Sequence, residues 1–564
     1  MAGRSCGWTR RPPPTARRTW LRRRSPILGS SSGTSSPHDN TLTGRALVPV
    51  FAALMLGMFL AALDQTIVST ALPTIVGELG GLEHLSWVVT SYLLATTAST
   101  PLYGKLGDMY GRKPVFLVAI VIFLIGSVLS GLSQSMTELI AFRAVQGLGA
   151  GGLMVGAQAI IADVVPPRDR GRYMGLIGSV FAVASVAGPL LGGFFVDTLS
   201  WRWVFYVNLP VGVIAIAIIV FRLRLHTPAT RHKIDYLGAT LLTAGVSAII
   251  LVTTWGGSEY AWASPTIIGL AIAGVMLVAL FIAQESRADE PIIPLNLFRS
   301  VVFSVASSLG FLIGLAMFGA ITFIPLFLQL VYGVSPTSSG LRMLPLMAGL
   351  LSASIISGRT ISRIGRYKPF PIAGCAVTAC GMFLLSRLEV DTPPWLASVY
   401  MLVVGIGIGL TMQVLVLAVQ NCAPPKDIGV ATSAATFFRS MGGSLGVALF
   451  GAVFAARLAN ELAQFPPAIA SRFSGGLSIS PDEVHSLPTE AQTDFLHAFV
   501  AALQPVFLVG AVLTALAFLL AWGLKEVPLR GSARPPADLE GADAVAGATG
   551  ADELVTPREG SRAR

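Results

Sequence analysis

Charged residues are scarce in this chain: Asp, Glu, Lys and Arg make up 12% of its 564 residues, about half the ~25% usual for soluble domains. Apolar residues make up 53%, more than one water-soluble core can hide, which excludes an ordinary globular protein. Cysteine is sparse too. Cys6, Cys375, Cys380 and Cys422 form no CxxC pair, which excludes a disulfide scaffold and a zinc ribbon. The six histidines are scattered, so no metal site is expected. There is no G-x-x-x-x-G-K-[ST] phosphate loop, so ATP hydrolysis is not the expected energy source, and no cofactor is expected. The net charge of +10 points to nucleic acid only at first sight. Nine arginines against Asp39 put +8 of it into residues 1–45, and no nucleic-acid partner is expected.

Long apolar runs are what the chain has in quantity. A helix crossing a bilayer needs ~20 mainly apolar residues. That window predicts fourteen spans, near 46–72, 84–104, 114–133, 137–162, 173–196, 202–221, 236–255, 265–284, 301–330, 340–358, 369–388, 396–420, 429–456 and 498–523. The ninth is too long for an upright span and predicts tilt or an interfacial end. Alternate loops, at 105–113, 163–172, 222–235, 285–300, 359–369 and 421–428, carry seventeen Lys and Arg. The opposite loops carry four at most (Arg202, Arg387, Arg457, Arg472). Positive loops stay inside, so a multi-pass plasma-membrane protein with both termini cytoplasmic is expected. Residues 1–45 are rich in Arg, Pro and Ser without a signal-peptide core, and read as a disordered basic tail. Residues 524–564 read as a second disordered tail. The long external loop at 457–497, with Pro466, Pro467, Gly475 and Gly476, is expected to form a flexible hairpin or a short amphipathic helix.

The chain also repeats itself. GKLGDMYGRKP at 104–114 recurs as GRTISRIGRYKP at 358–369, with glycines seven apart in both. PPRDRG at 166–171 recurs as PPKDIG at 424–429, and Gly147-x-Gly-x-Gly151 as Gly405-x-Gly-x-Gly409. The offsets are 254, 258 and 258 residues. Parallel six-helix halves form a transporter architecture with the substrate path between them. The expected plan is 6 + 2 + 6: a bundle at 46–222, an inserted hairpin with flanking loops at 223–300, and a second bundle at 301–523. A monomer is expected, because one chain already holds both halves.

An acid at mid-membrane costs ~2.5–3.5 kcal/mol on insertion scales and normally faces a wet cavity or a partner. Asp64 is the one acid well inside a predicted span, and its repeat position is Phe318. A carboxyl neutral on one side and ionised on the other is what a proton-coupled carrier needs; the alternative is a packing acid bonded to Ser or Thr. Arg143, whose repeat position is Met401, would hold an anion or bias the protonation of Asp64, or else bond to backbone carbonyls. Arg439 lies a few turns inside span thirteen and is a similar candidate.

Small residues let helices approach closely. Gly188, Gly192 and the neighbouring Gly193 surround Pro189 in span five, where the proline removes a helix donor and kinks the chain. With Gly147, Gly151, Gly442 and Gly446, they are expected as a hinge or seal between the halves, the alternative being plain tight packing. In the loop that holds Gly104, Gly111, Arg112 and Lys113, Asp108 is placed to pair with an arginine or a neighbouring helix N-terminus as a cytoplasmic latch. Topology alone accounts for Arg112 and Lys113. Spans one, four, five, nine, twelve and thirteen are expected to line the cavity, with Gln65, Gln158, Gln329 and Gln413 as polar contacts and Phe437 and Phe438 as aromatic surface.

These segments resemble the loop 2–3, span-four and span-five signatures of the major facilitator superfamily. LDQTIVSTALP at 63–73 and WRWVFYVNLP at 201–210 resemble its fourteen-span EmrB/QacA-type drug:proton antiporters. The resemblance covers residues 46–524 and implies an all-α integral membrane protein. Asp64 then matches the proton-linked acid, Arg143 the span-four arginine, and Gly188, Pro189, Gly192 and Gly193 the antiporter motif. Ala184 stands where a glycine is common, and no further acid lies deep in spans nine to fourteen, which argues against dicationic substrates. The expected function is proton-gradient-driven efflux of lipophilic or cationic small molecules. The alternative is a dedicated exporter of one antibiotic, siderophore or amino acid by the same antiport.

Overall fold

In the bilayer a backbone must satisfy its own hydrogen bonds, which leaves helices as the form for apolar segments. A computed structural model describes residues 47–80, 85–223, 225, 234–257, 259–463 and 488–529, and no sheet lies among them. The first half holds α1 (Leu47–Leu79), α2 (Leu85–Tyr110), α3 (Arg112–Leu132), α4 (Met136–Val164), α5 (Arg170–Thr198), the single turn α6 (Trp203–Tyr206) and α7 (Asn208–Arg222). A hairpin, α8 (Tyr236–Trp255) and α9 (Pro265–Glu285), follows. The second half holds α10 (Val301–Val331), the short α11 (Pro336–Arg342), α12 (Leu344–Ile364), α13 (Pro369–Leu385), α14 (Pro394–Cys422), α15 (Ile428–Leu462) and α16 (Thr489–Ala521). Among the described residues twelve helices are long and apolar enough to cross a membrane, making this a multi-pass integral membrane protein. The predicted spans outside that set are α2, rich in Ser and Thr, and α13, with 17 residues.

Packing follows the repeat. In the first half α4 packs on α2 and α3, and α1 on α5 and α7; in the second, α14 packs on α12 and α13, and α10 on α15 and α16. The halves meet where α5 crosses α12 and α15 crosses α2. The hairpin rests beside α2 and α15, with Trp87 and Trp255 edge to face at 5.2 Å. The outer face of α9 is left to lipid, as the exposed Ile272, Val275 and Met276 show.

Several boundaries differ from the sequence expectation. The ninth run is one unbroken helix, α10, with Pro325 inside it. Span six is split at Val207 into α6 and α7. α15 continues to Leu462 because Leu458 and Leu462, one turn apart, stay buried beyond the apolar window. α16 begins at Thr489, before the apolar window, and Phe495 and Phe499 bury a matching face. The central part of the predicted external loop, 464–487, lies outside the described residues, as do 1–46 and 530–564. Residues 524–529, placed above in a disordered tail, are held in place. Tyr367 Oη donates to the Lys525 carbonyl at 2.8 Å and Asn421 Nδ2 to the Val527 carbonyl at 3.2 Å. Two polar side chains in the second half, together with Leu524, Val527 and Leu529 packed on the core, thus hold the chain in place past the end of α16.

Candidate functional site

Asp64 stands in the middle of α1 and is fully buried. Arg143, in the second turn of α4, is 1% exposed, and its Nη1 donates to Asp64 Oδ2. The same nitrogen donates to Gln146 Oε1 at 2.8 Å, and Gln146 Nε2 donates to Asp64 Oδ1 at 2.8 Å. Asn208, at the start of α7, donates to Asp64 Oδ1 at 3.3 Å and to Ser127 Oγ at 3.0 Å. Arg143 Nε reaches the Val88 carbonyl at 3.3 Å, and its guanidinium lies 4.1 Å from the centre of the Tyr92 ring. Tyr92 in turn donates to the Ala61 carbonyl at 3.2 Å. The two charges therefore share one buried network that joins α1, α2, α3, α4 and α7. In such a network the loss of one partner strands the other, at ~3–5 kcal/mol. A proton arriving at Asp64 would do the same thing reversibly, by removing the charge that holds Arg143.

The segment WRWVFYVNLP at 201–210 bears on this network at one end and ties down α1 at the other. Asn208 binds Asp64, while Trp201 Nε1 donates to Glu78 Oε2 at 2.7 Å and Arg202 Nη1 to Glu78 Oε1 at 2.5 Å. Arg202 and Trp201 hold the Glu78 carboxyl below the usual range. Gln146, Asn208 and Tyr92 were not singled out in the sequence. Their signal was proximity in motif: Gln146 is one turn from Arg143, and Asn208 lies within the quoted segment.

At the end of the bundle bearing the Lys/Arg-rich loops, the halves are sealed by the repeated segments. Asp108 Oδ1 accepts from the Gly429 N–H at 3.0 Å and Oδ2 from the Val430 N–H at 2.8 Å, both in the first turn of α15. Arg112 Nη2 donates to Asp108 at 3.0 Å, while Nη1 meets Asp163 at 2.5 Å and the Ala159 carbonyl at 2.6 Å. Burial pushes the Asp108 carboxyl up to about 6 against the pull of Arg112 and the two N–H donors. Lys113 donates to the Leu223 carbonyl at 2.6 Å and the Val220 carbonyl at 3.0 Å, at the end of α7. Gly111, with φ of 94°, ends α2 and opens α3, and its repeat partner Gly365, with φ of 75°, ends α12.

The second crossing copies the first. Ser362, 254 residues after Asp108, accepts from the Arg172 N–H at 3.0 Å in the first turn of α5. A Cβ at Gly104 would collide with Ser433 and approach the Gly429 carbonyl to 2.7 Å; one at Gly358 would collide with the Gly171 carbonyl. The four glycines quoted from the repeats thus form two backbone-to-backbone contacts between the halves. Replacing Asp108 by Ala removes both acceptors from α15, a capping loss of ~0.5–2 kcal/mol. Maleimide labelling of Ser433→Cys, buried beneath the contact, is therefore expected to quicken several-fold when Asp108→Ala is added, read as a mass shift at that residue.

The remaining glycines lie elsewhere than expected. Gly188 and Gly192 face Thr66, Ile67 and Thr70 of α1, and Thr66 Oγ1 donates to the Ala184 carbonyl at 2.9 Å. Gly147 and Gly151 face α2, and Gly442 and Gly446 face α10. These pairs pack within one half and do not seal the halves together, because GxxxG spacing announces a close neighbour without saying which. Of the span-five motif, Pro189 approaches the other half, at Gly340 of α11, and Gly193 has open space where a Cβ would go. Gly193→Ala is accordingly expected to leave the protein unharmed or stabilise it by ~0.5–1 kcal/mol. Gly192→Ala, pressed against Thr70 and Ile67, should destabilise by ~1–3 kcal/mol. Thermal unfolding of the two purified variants checks the contrast.

The four glutamines do not share one cavity. Gln65 is half-buried, and Gln329 donates to Ser339 Oγ at 3.1 Å, tying α10 to α11. Gln158 is fully buried, and both its side-chain polar atoms lack a partner; its carbonyl accepts from Gln420 Nε2 at 3.3 Å across the halves. Gln413 is buried with Oε1 unpartnered. Arg439 opens onto a narrow cavity walled by Gly310 and Ile313 of α10, Met412, Leu415 and Val416 of α14, and Ala435. Its walls come from three of the six spans expected, nine, twelve and thirteen, all in the second half. Phe437 is buried, and Phe438 stacks edge to face on Phe298 at 5.9 Å.

The Major Facilitator Superfamily model matches residues 54–447. The uncharacterized MFS-type transporter Rv1877 of Mycobacterium tuberculosis (strain H37Rv) is 46% identical over 512 residues, covering 89% of this chain and 74% of that protein. The multidrug transporter protein MdtP of Bacillus subtilis (strain 168) is 38% identical over 505 residues, covering 85% of this chain and 93% of that protein. The solved structure of the proton:xylose symporter XylE aligns with a TM-score of 0.57 at 14% identity, over 86% of this chain and 97% of that one, a likeness of fold. With paired helical halves and a matching family model over most of its length, the chain belongs to the Major Facilitator Superfamily of membrane transporters and is not an enzyme.

Proposed function

We propose that this chain is a multidrug efflux transporter that exchanges protons for lipophilic small molecules by alternating access. The observation that carries the reading is the buried ion pair of Asp64 and Arg143. The name of the MdtP relative supports the efflux direction. In this reading α2 and α13 also cross the bilayer, giving fourteen spans in a 6 + 2 + 6 plan of the EmrB/QacA type. The protein works as a monomer in the plasma membrane. The end sealed by Asp108 and Ser362 is cytoplasmic, and so are both termini.

Protonation of Asp64 from outside releases Arg143 and favours the form that discharges substrate. Loss of the proton to the cytoplasm, promoted by substrate binding, restores the pair and resets the carrier. Moving one charge through ~100 mV supplies ~2.3 kcal/mol, and at ~1.4 kcal/mol per tenfold one proton sustains roughly a fifty-fold gradient of a neutral substrate. Reconstituted vesicles with an imposed pH gradient and no nucleotide test this reading, with a panel of labelled lipophilic cations and carboxylates. Uphill accumulation that a protonophore collapses is the expected result; accumulation indifferent to the protonophore overturns the coupling.

A further inference from the structure

One buried oxygen in the Asp64 network has no partner among the described residues. Asn208 is fully buried, and its Nδ2 donates both to Asp64 Oδ1 at 3.3 Å and to Ser127 Oγ at 3.0 Å, while its Oδ1 accepts nothing. A buried acceptor left in this way is costly to keep. The local chain nevertheless holds the amide there. Pro210 offers no N–H to the Tyr206 carbonyl, span six breaks beside it at Val207, and Asn208 opens α7. Trp201 and Arg202 fix the start of the same segment to Glu78 on α1, the helix that carries Asp64.

Donors and acceptors around Asp64 give that oxygen a use. When ionised, Asp64 only accepts: Oδ2 from Arg143, and Oδ1 from Gln146 and Asn208. When protonated it carries one O–H, which needs an acceptor of its own. The neighbouring acceptors are engaged. Gln146 Oε1 and the Val88 carbonyl take Arg143, the Ala61 carbonyl takes Tyr92, and the Phe205 carbonyl takes Ser127 Oγ at 2.8 Å. A half-turn of the Asn208 amide about its Cβ–Cγ bond puts Oδ1 where Nδ2 stood, opposite Asp64 Oδ1. One end of the amide is unpartnered in either pose, so the turn adds no orphan end.

The charged and titratable groups that face Asp64 are Arg143 on α4 and Tyr92 on α2. Ser127 on α3, Phe205 on α6 and Asn208 on α7 do not titrate in the range of interest. The stretch of α5 against this part of α1, from Ala184 to Gly192, holds no titratable residue.

We propose that Asn208 is a two-state positioning residue for the transported proton: its amide donates to ionised Asp64 and, turned over, accepts the O–H of protonated Asp64. This rests on the reading that Asp64 binds the proton. The proton passes from hydronium at the outer face to Asp64 Oδ1 and leaves water behind. Oδ2 then stays opposite Arg143 as a neutral carbonyl oxygen, a weaker acceptor than the carboxylate. The turn also breaks the Asn208 contact with Ser127, so protonation is felt on α3 as well as on α4.

Infrared difference spectra of the full chain in liposomes, stepped in pH without substrate, provide the test. The protonated Asp64 band is the acid carbonyl band that Asp64→Asn removes. Side-chain carbonyls of the five asparagines are labelled with carbon-13. As Asp64 gains its proton, one labelled amide band is expected to fall in wavenumber, because its oxygen gains a hydrogen bond, and this change should be absent in Asp64→Asn and in Asn208→Leu. In Asn208→Leu the midpoint of the Asp64 band should move down by about half a unit to one unit of pH, the worth of one hydrogen bond. The sign is downward because ionised Asp64 keeps Arg143 and Gln146, whereas neutral Asp64 loses its acceptor. A titrating Asp64 with no accompanying amide shift, or with a midpoint that Asn208→Leu leaves in place or raises, overturns this proposal and leaves proton coupling standing. Absence of any acid band that Asp64→Asn removes overturns both. If Asn208→Leu fails to fold, the labelled amide band in wild type against Asp64→Asn decides.

Discussion

Asp64→Asn is expected to abolish uphill transport while leaving the protein folded and still able to exchange substrate for substrate. The amide matches the carboxylate in size and still accepts at one oxygen, so the contacts to Gln146 and Asn208 have a counterpart. What disappears is the titratable charge that faces Arg143. The stranded guanidinium keeps Gln146, the Val88 carbonyl and the Tyr92 ring, which softens the ~3–5 kcal/mol that breaking a buried pair costs. A loss of the whole gradient, roughly fifty-fold for a neutral substrate at ~100 mV, should therefore accompany a lowered but measurable unfolding temperature. Gradient-driven uptake and substrate counterflow, run on the same vesicles, separate the two effects. Loss of both would make Asp64 a packing residue.

The second large effect is expected at Gly358. This position meets the Gly171 carbonyl of the opposite half so closely that a methyl group has no place, and the contact is made between backbones, which cannot swing aside. Gly358→Val should keep the helices inserted, because α12 needs no glycine for its own geometry, but it should hold the halves apart at that end. Transport is expected to fall at least about tenfold, the scale of a ~1–3 kcal/mol overpacking penalty charged to one conformation only. Labelling of Ser433→Cys at the same end should become fast and cease to depend on Asp108. Gly104→Val, at the repeat-related contact with Ser433 and Gly429, should behave alike. A Gly358→Val protein that transports normally would mean the two crossings do not open.

Much of this was legible in the sequence. Lipid forces apolar runs into helices, so the helices could be read from hydropathy; twelve of those described are long and apolar enough to cross a membrane, and the start of α16, at Thr489, lies nine residues before the predicted 498. The repeat offset paired Gly104 with Gly358 and Gly171 with Gly429, and it placed Ser362 opposite Asp108. Nothing in the offset said that Gly104 would meet Gly429, or Gly358 meet Gly171, because a repeat fixes equivalence within the chain and not contact across it. Lone buried charges stood out for the same reason they are rare, which is why Asp64, Arg143 and Arg439 were visible. Amides such as Gln146 and Asn208 carry no such penalty, and their one signal was their place, beside Arg143 and within residues 201–210. Glycine spacing announced close approach in α5 but attached it to the wrong partner, since α1 of the same half fills the space at Gly188 and Gly192. Residues 524–529, which follow α16, read as the start of a tail because Tyr367 and Asn421, which hold residues 525–528, lie far away in sequence.

The central claim is that the proton exchanged for substrate is bound at Asp64. The most direct measurement places wild type and Asp64→Asn in liposomes with an internal pH dye, imposes a pH gradient, and adds a panel of lipophilic cations and carboxylates. Substrate-triggered proton movement in wild type, absent in a folded Asp64→Asn protein, is the predicted result. An equal proton signal from both proteins would contradict the assignment and move the coupling site away from the Asp64 and Arg143 pair.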